Sequence, residues 1–133
     1  MPDRSRRASQ ALLVLRLLVA GLIAAHGWAR WMAGGVPPFG EWLGSLGLPA
    51  GFWIAAAITA FEILGTPLLA IGRWVSALAL TYCAIYAVGI ALVHWPAGWL
   101  VVGLGRNGME YSVLLIACLA AHAWVHWPER RRR

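Results

Sequence analysis

Apolar residues fill four long stretches of this chain, from about Ala11 to Met32, Phe52 to Ile71, Trp74 to Val93 and Met109 to Trp127. Polar residues collect between and outside them. Each stretch is close to the ~20 apolar residues that an α-helix needs to cross roughly 30 Å of hydrocarbon. The pattern therefore predicts an all-α membrane protein, a bundle of four transmembrane helices. Only Gly72 and Arg73 separate the second stretch from the third, which predicts a tight antiparallel hairpin. The first stretch follows a basic start, as a secretory signal would. Its apolar run exceeds the ~7–15 residues of such a signal, and no convincing small-x-small cleavage site follows, so it reads as a retained span.

The connections carry patterns of their own. Between Ala33 and Gly51, Phe39, Trp42, Leu43 and Leu46 repeat at helical spacing, with Glu41 and Ser45 elsewhere. This is either a short amphipathic helix on the outer interface or an irregular loop, since two glycines weaken the helix. The connection from Pro96 to Gly108 is glycine-rich and carries Arg106 and Asn107.

Composition supports the membrane reading. Of the 133 residues, 61% are hydrophobic and 12% charged. A soluble domain is roughly 45–50% apolar and about 25% charged, so this chain has too little polar surface to cover itself in water. The length suits a single domain over residues 1–133. The net charge of +6 does not point to nucleic acid, because its arginines flank the spans: Arg4, Arg6 and Arg7 open the chain and Arg130 to Arg133 close it. Such clusters set topology and meet anionic lipid. Cys83 and Cys118 lie far apart in apolar stretches and form no disulfide framework.

With four spans, the two termini and the Gly72–Arg73 turn share one side. That side holds most of the arginines, so it is the cytoplasmic one, with Arg30 and Arg106 near the opposite ends. The nine tryptophans agree, since all fall near helix ends, where aromatic belts form, and none falls mid-span. In a bacterium the location would be the inner membrane, crossed several times.

The ionisable groups within the spans carry whatever chemistry exists. Glu62 stands near the middle of the second span, where an acidic group costs about 2.5–3.5 kcal/mol and must face the bundle. It is either an interhelical clamp or a proton or ligand site. Gly65, one turn on, lets a neighbouring backbone approach. Arg16 lies about 8 Å into the hydrocarbon and Glu62 about 14 Å, so Arg16 can reach Glu62 as a buried partner. Alternatively Arg16 snorkels back to the interface. Arg16, His26 and Arg30 fall within a sector of about 80° on one helix. His26, His94, Arg106 and Glu110 all lie towards the outer side. They form either a binding vestibule above Glu62 or an interfacial salt-bridge network. His122 and His126 look like interface residues. No metal site is expected: the histidines match no Glu-x-x-His or CxxCH pattern, which argues against haem.

Several pieces occur together in a known order. They are Leu15-Arg16-Leu17 and His26-Gly27, then Glu62-x-x-Gly65 and Gly72-Arg73. His94-x-Pro96-x-Gly98-Trp99 and Asn107-Gly108-x-Glu110-Tyr111 follow. On these the chain resembles the DoxX family of small bacterial four-helix membrane proteins. That family usually has a lysine near Trp31 where this chain has Arg30, which keeps the charge. The resemblance implies association with quinol oxidase or thiosulfate:quinone oxidoreductase systems and with membrane redox complexes.

Two functions follow. One is a membrane subunit of a redox system that holds a quinone or small substrate in a polar site, with Arg16, His26, Glu62, His94, Arg106 and Glu110 as candidates. The other is a scaffold without chemistry that docks a partner protein, redox or otherwise. The expected surroundings are the lipid bilayer, and a homo-oligomer is compatible with the pattern.

Overall fold

The computed structural model describes residues 3–101, 103 and 106–128; Arg130 to Arg133 lie outside them. Helix α1 covers Arg4–Met32, α2 Val36–Ser45, α3 Gly51–Ala70, α4 Val75–Gly89 and α5 Glu110–Val125. A π-helical turn, Ile90–His94, continues α4. The described residues form no strand. Three helices, α1, α3 and α4 with its π turn, are long and apolar enough to cross a membrane, whereas α5 has 16 residues. Large apolar side chains are exposed on all of them: Leu18 on α1, Leu64 on α3 (69% exposed), Val88 on α4 and Leu114 on α5. Water would penalise such a surface and hydrocarbon would not. The protein is a multi-pass membrane protein.

Helix α1 begins at Arg4, before its apolar stretch, because Arg, Ala and Gln propagate a helix as well as apolar residues do. Asp3 receives the backbone N–H groups of Arg6 and Arg7 on its carbonyl and the Ser5 hydroxyl on its carboxylate. The chain makes two compact units, and it passes between them within α1, after Arg16, and again between Arg73 and Trp74.

The unit Leu17–Arg73 holds the rest of α1 with α2 and α3. Its core on α3 is one stripe, Ala55, Thr59, Glu62, Thr66 and Leu69, spaced at three and four residues. Helix α2 forms, with Pro37 and Pro38 in its first turn, where their missing N–H groups cost nothing. Val36, Gly40 and Leu43 are its buried residues, while Phe39 and Trp42 stack at its side and Leu46 is exposed. Of the two glycines expected to weaken it, Gly40 is its contact with α3, whereas a methyl on Gly44 would meet nothing within 4 Å. A methyl at Gly40 would stand 2.6 Å from the Phe52 Cα, and one at Gly51 would run into the Gly40 carbonyl and stand 2.8 Å from the Gly44 nitrogen. Backbone meets backbone there, and only glycine permits it.

Helix α3 carries Pro67, which cannot donate to the Ile63 carbonyl. The Thr66 hydroxyl donates to the Glu62 carbonyl at 2.7 Å and reaches the Ile63 carbonyl at 3.4 Å, so the freed acceptor is partly served. Beyond α3, Gly72 (φ +82°) takes the left-handed conformation. Its N–H donates to Leu69 and that of Arg73 to Leu68, which closes the helix with a Schellman motif.

The other unit joins the start of α1, through Arg16, to Trp74 onward. Helices α4 and α5 pack on Val75, Leu78, Ala79 and Tyr82 from one and Leu115, Leu119 and Ala123 from the other. The Ser76 hydroxyl donates to the Ala123 carbonyl at 3.0 Å, and the Cys83 thiol points at the Ile116 carbonyl at 3.7 Å. Both cysteines are free and partly buried, as small packing residues would be.

Candidate functional site

Glu62 is 3% exposed in its side chain and is ion-paired, but not with Arg16. Its Oε2 lies 2.6 Å from Nη1 of Arg30. The sequence expectation of an Arg16–Glu62 pair is corrected here, and the reason is local. Gly27 passes so close to α3 that a methyl on it would stand 2.8 Å from the Glu62 Cβ. That contact fixes which rung of α1 meets Glu62. Arg30, three residues beyond Gly27 and so on the same face, is the cation that reaches it.

Arg30 is held on several sides. Its Nη1 also donates to the Thr59 hydroxyl at 3.1 Å, and Thr59 passes its own proton to the Ala55 carbonyl at 2.8 Å. The guanidinium carbon stands 4.9 Å over the Phe39 ring, a cation–π contact from α2. Among the described residues, Arg30 Nη2 and Nε make no hydrogen bond, and the side chain is 23% exposed. Beside this cluster lies an open, apolar cavity of about 580 Å³. Trp28 and Trp31 of α1, Pro37 of α2, and Phe52, Thr59 and Ile63 of α3 are among its walls. Thr59 is the sole residue of its lining that carries a side-chain hydrogen-bonding group other than the two indoles. Thr59 thus belongs to both the cavity lining and the ion-pair network.

Most of the remaining sequence candidates make contacts within their own unit. His26 is exposed and its Nδ1 lies 2.8 Å from the Leu22 carbonyl of its own helix. His94 ends the π turn, and its Nδ1 lies 2.8 Å from the Asn107 carbonyl. Glu110 accepts the Val101 N–H at 2.9 Å on Oε1, while its own N–H donates to Trp99 and that of Met109 to Gly98. A methyl at Gly108 would meet the Leu100 carbonyl. So His94 and Glu110 fold the connection before α5 back upon itself. Arg106 in that connection is exposed.

Arg16 pairs with a residue that the sequence left at the interface. Its Nη1 lies 3.2 Å from Nε2 of His126. An arginine only donates, so that nitrogen accepts, and the His126 Nδ1–H donates to the His122 carbonyl at 3.0 Å. His122 is buried beside it, with ring centroids 6.0 Å apart. No group of three or more metal-ligating side chains forms among the described residues.

Known proteins add one decisive likeness. The family model for DoxX matches residues 11–95, nearly two thirds of the chain. The chain belongs to the DoxX family. The match takes in Arg16, Arg30, Glu62 and His94 of this DoxX protein and stops before Asn107 and Glu110. No curated protein and no solved structure matches it.

Proposed function

We propose that this DoxX protein is a membrane subunit of a redox-associated system that holds a quinone-type ligand against α1, α2 and α3. The supporting observation is the apolar cavity whose wall includes Thr59, hydrogen-bonded to the Arg30–Glu62 pair. A quinone needs an apolar slot for its ring and tail and a few donors at its carbonyls. The donors at the wall are the Trp28 and Trp31 indoles, and the Arg30 guanidinium, held by Glu62, stands one hydrogen bond behind Thr59. Electrons would come from a partner protein in the membrane or at its surface.

Protein purified in a mild detergent should carry a quinone, seen in the solvent extract as an oxidised-minus-reduced absorbance difference. Ala60→Trp, which fills the cavity from a lining position, should abolish retention while the melting temperature stays near that of the wild type. An extract without quinone from native membranes, with Ala60→Trp indifferent, would leave the scaffold reading in its place.

The same reading includes four crossings with both termini in the cytoplasm. Helix α5 is about 24 Å long at 1.5 Å per residue, short of the ~30 Å core but within what interfacial tryptophans and local thinning absorb. A reporter fused after Arg133 should report cytoplasm and one inserted near Gly35 the outside. A C-terminus on the outside would end the four-crossing topology.

A further inference from the structure

The start of α1 is held to its unit by little. From Arg4 to Leu15 every residue is exposed except Leu12, which is half-buried. Among the described residues, one side-chain hydrogen bond ties this segment to another element, from Arg16 Nη1 to His126 Nε2 at 3.2 Å. That bond fixes a charge state. An arginine only donates, so the ring nitrogen it meets carries no proton, and His126 keeps its one N–H at Nδ1, on the His122 carbonyl. Both nitrogens of a neutral imidazole are thus in use, and a second proton has nowhere to go except against the guanidinium. The surroundings do not answer such a charge. Arg16 faces the ring from α1 and His122 from the preceding turn of α5, its ring centroid 6.0 Å away. Helix α4, which packs on α5, carries no charged residue. Among the described residues, no carboxylate forms an ion pair with any of the three.

We propose that the Arg16–His126 bond is a pH-sensitive clasp, which holds the start of α1 to the end of α5 while His126 is neutral and releases it when the ring takes a proton. Imidazole is the side chain whose charge changes between about pH 5 and pH 8. A proton on Nε2 replaces the acceptor with an N–H and sets two cations at one contact, with no described acid between them. The clasp is also cheap to open. Arg16 Nε and His122 Nδ1 are covered by the chain's own atoms and make no hydrogen bond, a cost borne only while the segment is seated. On release water reaches both, which offsets the bond that is lost. The clasp is therefore closed at the alkaline end of the imidazole range and open at the acidic end. What it governs is a basic segment carrying Arg4, Arg6 and Arg7, which stands on the cytoplasmic side in the topology proposed above.

Hydrogen exchange read by mass spectrometry tests this on the full chain in mild detergent. Peptides covering residues 4–16 are followed at about pH 8 and about pH 5.5, with times scaled for the intrinsic pH dependence of exchange. In the wild type that segment should exchange roughly two- to tenfold faster at the lower pH, the equivalent of one hydrogen bond. Peptides from Val75–Gly89 should not change. His126→Gln offers Arg16 an amide oxygen that does not titrate, so its segment should stay slow at both pH values. Arg16→Gln removes the cation and leaves an amide that serves either form of the ring, so the response should vanish there too. His122→Gln should keep the response. Glu129→Gln, at a position outside the described residues, should keep it as well, and its loss there would hand the switch to that carboxylate and overturn the clasp. Equal exchange of the wild-type segment at the two pH values overturns it, as does an undiminished response in His126→Gln. A response shared by α4 would be a general loosening by acid and overturns it too. Circular dichroism confirms that each variant is helical, and the wild-type comparison stands if a variant fails to fold. None of these outcomes depends on a quinone, so the clasp and the cavity beside Thr59 stand or fall separately.

Discussion

Helix α1 offers two arginines to the interior, and the two units treat them differently. Arg30 meets a buried carboxylate, a threonine hydroxyl and a phenyl face, and its charge is answered inside the protein. Arg16 meets two histidines, and its charge is not answered by any described acid. The difference lies in what each unit places opposite the helix. In one, Gly27 draws α3 in until Glu62 faces α1. In the other, the end of α5 brings imidazoles. The first arrangement balances the charge, and the second gives the cation a ring nitrogen in place of a carboxylate.

The largest expected effect comes from breaking the closed pair. Removing one partner of a buried pair costs about 3–5 kcal/mol, because the other charge is stranded. Arg30→Met and Glu62→Gln should each lower thermal stability in detergent by an amount in that range, with Arg30 towards the lower end since it is partly exposed. The double variant should recover part of the loss, because its members share one interaction. Two additive losses would mean that the 2.6 Å contact contributes nothing to stability.

A smaller effect should follow from disturbing the approach that carries Phe39 to Arg30. Gly40→Ala puts a methyl 2.6 Å from the Phe52 Cα, which is backbone and cannot step aside. Such overpacking typically costs about 1–3 kcal/mol. The melting temperature should fall, and fluorescence of Trp42, partly buried against the same cluster, should shift. A neutral Gly40→Ala would show that α2 is only loosely seated on α3.

How much of this was legible in the sequence depends on the kind of interaction. The apolar stretches beginning near Phe52 and Trp74 became helices within a residue or two of their expected bounds, because hydrocarbon thickness dictates length. The cost of a mid-span carboxylate likewise marked Glu62 as buried and partnered. Its partner was not legible. Depth counted along one helix gives height but not the rung at which two helices meet, and Gly27 sets that rung by what it lacks. Read as a weak spot in α2, Gly40 is likewise a contact, since a glycine's tolerance of another backbone has no periodicity to betray it. The role of His126 was hidden too. Nothing in its neighbours along the chain says that Arg16, 110 residues away, reaches its ring.

The smallest expected effect is at Arg16, and it tests the comparison most directly. Arg16→Met removes one hydrogen bond to an exposed histidine, and such a bond is worth about 0.5–1.5 kcal/mol net. It also removes a buried nitrogen that has no partner, which should give part of that back. In detergent without anionic lipid the two should nearly cancel, leaving the melting temperature almost unchanged. Combined with Glu62→Gln, the effects should simply add, because Arg16 bonds to His126 and Glu62 to Arg30. A loss at Arg16→Met as large as at Arg30→Met would mean that Arg16 is answered within the protein after all, and the contrast between the two arginines would fail. Recovery in the Arg16→Met/Glu62→Gln double would go further and restore a direct coupling between Arg16 and Glu62.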